Sequence, residues 1–120
     1  MINWNNLDTL AAFKELKETP LVDLNKVMSG EAGAERVKTY NIPMAEGLNY
    51  NFAAKKVDDT TLKALEKLAI EAELSDKFAA LYNGEVVNTG ENRLVLHHMT
   101  RGQLGEAVNA DGVDKRTFYT

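Results

Sequence analysis

Apolar residues in this chain recur mostly three or four apart, the spacing of a helix face, and switch to strict alternation in one stretch. Leu7, Leu10, Ala11, Phe13 and Leu16 form a stripe behind Asn5 or Asn6, either of which can cap a first helix. Thr19-Pro20 stops that helix and opens a second, since proline is tolerated in a first turn; Leu21, Leu24, Val27 and Met28 carry it to Gly30. One or two further turns are expected over Glu31–Tyr40, weakened by Gly33 and ended by Ile42-Pro43. Leu48, Tyr50, Phe52 and Ala54 then alternate with Asn49, Asn51 and Ala53, the period of a strand with one buried face. A buried strand needs a hydrogen-bonding partner, and the candidate partner lies near the C-terminus.

The clearest local signal follows. Asp58 stands as an N-cap, with Val57 and Leu62 at the positions of a hydrophobic staple, and Leu62, Leu65, Leu68, Ala69 and Ala72 form one face. Asp59–Lys63 and Lys67–Glu71 are spaced as ion pairs across one helical turn. Ser75 caps the next helix, which runs through Phe78, Leu81 and Tyr82 to a left-handed Gly84. Thr89 or Gly90 caps another over Glu91–Arg101, closed by Gly102, and its apolar Leu94, Val95, Leu96 and Met99 place it centrally. Beyond it, residues 106–119 read as a hairpin, with Asp111-Gly112 as the two-residue turn. The expected fold class is therefore mainly α, five or so helices with one short strand and a C-terminal β-hairpin, and no internal domain boundary over residues 1–120.

Composition narrows the function classes. Fourteen Lys and Arg against eighteen Asp and Glu give a net charge of −4 with no basic block, which argues against a nucleic-acid surface. Cysteine is absent, which removes disulfides, thiol nucleophiles and thiolate metal ligands. No apolar run reaches membrane-spanning length, and MINWNNLDTL lacks the charged and small-residue features of a secretory signal, so a cytoplasmic location is expected.

Candidate chemistry is sparse. His97-His98 are the chain's two histidines; neighbours on one helix diverge by about 100° and do not chelate one metal, so a structural or hydrogen-bonding role is expected. Glu91 suits a helix N-terminus and Arg93 an ion pair or an interface, and Asp58-Asp59 is explained by capping. Phe13, Phe52, Phe78 and Tyr82 fit core packing. Gly30-Glu31-Ala32-Gly33 lacks the strand–helix context and basic partner of a phosphate loop. No catalytic, cofactor-binding or metal-binding residue is nominated.

Gly84-Glu85, Asn88, Glu91-Asn92-Arg93 and Val95-Leu96-His97 together resemble an early motif of the glucose-6-phosphate isomerases (phosphoglucose isomerases), GE-x-x-N-x-x-ENR-x-VLH. The similarity continues upstream through Asn51-Phe52 to Val57, then Thr61-Leu62, Leu65, Leu68 and Ala69, and covers about Glu35 to Arg101. His98-Met99-Thr100 and Gly102–Gly105 depart from the commonest pattern, which suggests a divergent bacterial-type subgroup. His97 matches the motif's histidine, which is not the family's catalytic one.

The resemblance implies an enzyme that interconverts glucose 6-phosphate and fructose 6-phosphate in glycolysis and gluconeogenesis, without metal or organic cofactor. A proton moves between C1 and C2 through an enediol, with a Glu as base, an Arg offsetting charge, and a Lys and a neighbouring subunit's His assisting ring opening. It also implies an α/β sugar-isomerase fold of two domains and a homodimer. The family's Gly-Ile-Gly-Gly-Ser stretch does not occur here, and the reactive positions lie downstream of the matching segment, so no functional residue carries over. The expectation is an N-terminal helical segment of such an isomerase, structural and inactive alone, whose partners are the rest of the parent chain and a second subunit, with no nucleic acid or membrane. Two alternatives stand beside it: a stand-alone helical interaction module, and a small independent enzyme, which the empty inventory of reactive groups disfavours.

Overall fold

The computed structural model describes residues 1–101 and 105–119. Among these, six helices and three two-stranded antiparallel sheets follow one another along the chain. The helices are α1 (Ala11–Glu18), α2 (Leu24–Val27), α3 (Gly30–Thr39), α4 (Asp59–Glu71), α5 (Leu74–Tyr82) and α6 (Lys115–Phe118). The strands pair locally as β1 (Asn41–Ala45) with β2 (Leu48–Asn51), β3 (Val86–Asn88) with β4 (Arg93–Leu94), and β5 (Asn109–Ala110) with β6 (Val113–Asp114). The expected single strand is therefore corrected to a hairpin, and helices alternate with hairpins throughout. Two compact units arise, Lys14–Glu66 and the pair of segments Met1–Phe13 and Lys67–Thr120, with boundaries inside α1 and α4.

In the Lys14–Glu66 unit, Pro20 starts no helix. Asp23 does so three residues later, its carboxylate accepting the Asn25 and Lys26 N–H groups. The next helix, α3, is longer than the sequence suggested because Gly33 is a packing requirement, not a weak point. Its missing side chain lets the Met28 carbonyl lie against the helix, where any Cβ would collide. The alternating stretch after it pairs with β1, in the register Asn41–Asn51, Ile42–Tyr50 and Pro43–Asn49, and not with anything near the C-terminus. Gly47, at φ 73°, makes the tight reversal that brings the two strands together. Every residue of this hairpin is exposed, so its apolar face is not buried as the alternation implied. Asp58 caps α4 as expected: its carboxylate takes the Thr61 N–H at 2.8 Å and the Thr61 hydroxyl at 2.9 Å.

In the other unit, the first stripe breaks into a 3-10 turn at Leu7–Thr9, an extended Leu10, and then α1. The start of α1 is set by a distant residue: Glu71 accepts the Ala11 N–H at 3.0 Å and the Ala12 N–H at 2.6 Å. Such a cap, 60 residues away in sequence, leaves no local signature. In the same unit, the Lys77 ammonium lies 5.6 Å from the centre of the Trp4 ring. Between α4 and α5 the chain turns through a left-handed Glu73 (φ 53°), so α5 begins at Leu74 and Ser75 is not its cap. Gly84, at φ 72°, ends that segment as expected, and a Cβ there would strike Val108. Phe78 is 63% exposed and is not a core residue, whereas Phe13, Phe52 and Tyr82 are half-buried.

The helix expected over Glu91–Arg101 does not form. Residues 86–94 make the β3–β4 hairpin with Asn92 at φ 53°, and only His97–Arg101 coil, as a 3-10 turn. Leu94, Val95 and Leu96 form one short apolar run, which fits an extended segment as well as a helix face. The apolar content is nevertheless used, since Met99 is the largest completely buried side chain among the described residues. Gly102, expected to close that helix, lies outside the described residues. The Asp-Gly turn is present, with Asp111 at φ 54° and Gly112 at φ 75° between β5 and β6. Its strands are two residues long because Asp114 caps α6 at once.

Candidate functional site

Glu91, Asn92 and Arg93 sit at the tip of the β3–β4 hairpin, not on a helix. Asn88 accepts the Glu91 N–H and donates its side-chain amide to the Glu91 carboxylate at 3.0 Å, closing the turn. Arg93 reaches the same carboxylate at 3.8 Å, the ion pair expected for it, with both side chains largely in solvent. The spacing Asn-x-x-Glu-Asn-Arg thus folds a turn.

The two histidines separate. His97 is exposed, whereas His98 is half-buried with its ring 5.0 Å from that of Tyr82. Its Nε2 lies 3.1 Å from the Tyr82 carbonyl, and because a carbonyl only accepts, Nε2 carries the proton. Tyr82 is also the anchor of a residue the sequence did not single out. Arg116 is buried, donates Nε to the Glu106 carbonyl at 2.6 Å and Nη2 to the Tyr82 carbonyl at 3.0 Å, and places its guanidinium 5.4 Å from the Tyr82 ring centre. Asp114 organises the same segment. Its carboxyl is held below the usual carboxylate range, first by the Thr117 hydroxyl and then by the Val108 and Arg116 N–H groups.

The Lys14–Glu66 unit has its own buried arginine. Arg36, on α3, donates to the carbonyls of Ala53 (2.8 Å), Lys55 (3.0 Å) and Val57 (2.6 Å) and lies 4.2 Å from the Tyr40 ring centre. Tyr40 donates its hydroxyl to Asp59 at 3.0 Å, and its pKa is raised by burial and then by that carboxylate. Asp58 is shifted the other way, chiefly by the Thr61 N–H. An open hollow of about 530 Å³ beside them is lined by Lys26, Val27, Glu35, Arg36, Tyr40 and Asp59. Two of its charges are already committed: Arg36 holds a loop, and Asp59 accepts from Tyr40. The arrangement braces the chain. Neither arginine had a signal in hydrophobic patterning, which is silent on which cation is drawn inside.

No His, Asp or Glu group able to hold a metal ion occurs among the described residues, and none of their helices is long and apolar enough to cross a membrane.

The chain belongs to the phosphoglucose isomerase family, whose model matches residues 51–118, from the end of β2 to α6. Relatives named glucose-6-phosphate isomerase align over nearly all of it. The one from Treponema denticola is 43% identical over 98% of this chain, and that from Treponema pallidum 42% identical over 99%. A third, from Borreliella afzelii, is 40% identical over 99%. This chain spans only 22–23% of the length of these relatives.

Proposed function

We propose that these residues form the opening, scaffolding segment of a glucose-6-phosphate isomerase, the enzyme that interconverts glucose 6-phosphate and fructose 6-phosphate. The observation that carries this reading is the alignment of 98% of the chain, at 43% identity, with less than a quarter of a relative bearing that name. The side-chain geometry fits it. The buried cations are engaged by backbone carbonyls, the carboxylates Asp58, Glu71 and Asp114 receive backbone N–H groups, and His98 supports Tyr82. Groups so committed hold a framework, whereas enediol chemistry requires a carboxylate poised over a substrate carbon and cations free to face an oxyanion.

The parent would have the α/β sugar-isomerase fold, act in the cytoplasm as a homodimer without a cofactor, and serve glycolysis and gluconeogenesis. The reactive Glu, Arg, His and Lys would come from polypeptide outside these residues. The test couples fructose 6-phosphate conversion to a glucose-6-phosphate dehydrogenase readout. The purified 120-residue chain is expected to give no turnover above the uncatalysed rate, and the parent enzyme to be active. Turnover by the isolated chain at the parent's level would refute the scaffolding role.

A further inference from the structure

The chain's first six residues are extended and pair with no strand among the described residues, yet they are laid along a surface. Ile2 and Trp4 are half-buried while Met1, Asn3 and Asn5 are exposed, the alternation of an extended segment with one face down. Ile2 and Trp4 line one hollow with Ala79 and Ala80 of α5. Asn3 donates its backbone N–H to the Glu73 carboxylate at 2.6 Å, across 70 positions of sequence, and the Lys77 ammonium faces the Trp4 ring.

Glu73 is a costly residue at its position. It joins α4 to α5 at φ 53° and ψ 41°, the left-handed region that glycine enters freely and a residue with a Cβ does not. Both of its backbone groups are used there: its N–H donates to the Ile70 carbonyl at 3.0 Å, and its carbonyl accepts the Lys77 N–H at 2.9 Å. Glycine would make the same two bonds without strain. What glycine lacks is a carboxylate able to reach Asn3. A half-buried carboxylate that accepts a backbone N–H makes one of the stronger kinds of hydrogen bond, whereas the segment's apolar grip is two side chains, neither fully covered.

We infer that Glu73 is the latch of an N-terminal strap: its carboxylate holds residues 1–6 closed against α5, and its removal lets them swing out while the rest of the unit stays folded. Segments with few buried apolar contacts open locally at low free energy, so one strong bond decides the balance. The strap hinges at the Leu7–Thr9 turn, because the chain is secured again directly after it. Leu10 is buried there, and Glu71 accepts the Ala11 and Ala12 N–H groups. Two acids at the joint between α4 and α5 thus hold the two ends of this segment, Glu71 the fixed end and Glu73 the free one. Glu73 is a positioning residue, and the reach of its side chain is what the left-handed turn gains over a glycine.

Two variants of the 120-residue chain separate the carboxylate from the backbone. Glu73→Ala keeps a Cβ in the left-handed turn and removes the latch, whereas Glu73→Gly removes both. Backbone order parameters from NMR relaxation over residues 2–6 are expected to fall below about 0.6 in both variants, from about 0.8 in the unmodified chain. The Asn3 amide should exchange with water about tenfold faster, while the Ala11 and Ala12 amides and the helical ellipticity stay unchanged. Glu73→Gly should nevertheless unfold at a higher urea concentration than Glu73→Ala, since it alone relieves the turn. A strap already mobile in the unmodified chain overturns the proposal, as does one whose order parameters and exchange are unchanged in both variants. So does loosening in Glu73→Ala alone, which would assign the strap to the backbone, or a urea midpoint for Glu73→Gly no higher than that of Glu73→Ala. Faster exchange shared by Asn3, Ala11 and Ala12, or a loss of ellipticity, would make Glu73 a brace of the whole unit and overturns it equally.

Discussion

Each of the two units is braced by a buried arginine resting beside a tyrosine, yet the two arginines work over different distances along the chain. Arg36 reaches from α3 to the carbonyls of residues 53, 55 and 57, some 20 positions away, and secures one loop ahead of the Asp58 cap. Arg116 spans 34 positions to the Tyr82 carbonyl at the end of α5, where His98 also donates. One is a local brace and the other a long-range tie. The lesson is that an arginine fork supplements a small apolar core: among the described residues, the buried apolar ones apart from Leu10, Met99 and Val108 are alanines. A guanidinium's several donors can satisfy loop carbonyls that no helix or sheet would reach.

The comparison predicts a graded series. Arg116→Ala should cost most, about 4 kcal/mol in urea unfolding, because it removes a buried guanidinium's bonds to the Glu106 and Tyr82 carbonyls and frees a long connection. Arg36→Ala should cost about 3 kcal/mol, with Arg36→Lys recovering little of it, and hydrogen exchange should rise chiefly in residues 53–57. Equal exchange increases throughout the chain for both variants would erase the local-versus-long-range distinction.

Next comes Gly84→Ala, at about 2 kcal/mol, since the left-handed backbone and the neighbouring Val108 side chain both oppose a methyl group. Val108→Ala in the same background should recover part of the loss if the collision matters, and none if strain alone does.

The smallest effect is the acid response. Asp58 and Asp114 have depressed folded pKa values, so each contributes stability above the ordinary carboxylate pKa of about 4 and loses it as pH falls through the lower folded value. Thermal melts from neutral pH downward should show this loss, and Asp58→Asn, which still caps but cannot ionise, should flatten part of it.

What could be read in the sequence was local. Asp58 and Thr61 lie within one turn, Asp111-Gly112 requires nothing beyond itself, and Gly84 follows directly from the end of an apolar helix. The motif around Glu91-Asn92-Arg93 pointed to the right family while its local structure was misjudged. Leu94, Val95 and Leu96 are compatible with either periodicity, and the left-handed Asn92 decides for a turn. The start of α1 depends on Glu71, and the Tyr82 anchor on Arg116, pairings that exist only once the chain has folded. The exposed face of β2 was misassigned for the opposite reason: alternation announces an apolar face without naming what covers it.

The placement of Trp4 has a practical consequence. It is the chain's one tryptophan and sits in the Met1–Phe13 and Lys67–Thr120 unit, whereas Tyr40 and Tyr50 belong to the other. Indole emission therefore reports on half of the molecule and is blind to the rest. Should its denaturation curve part from one followed by backbone ellipticity, the halves melt in sequence, and a single midpoint would describe neither.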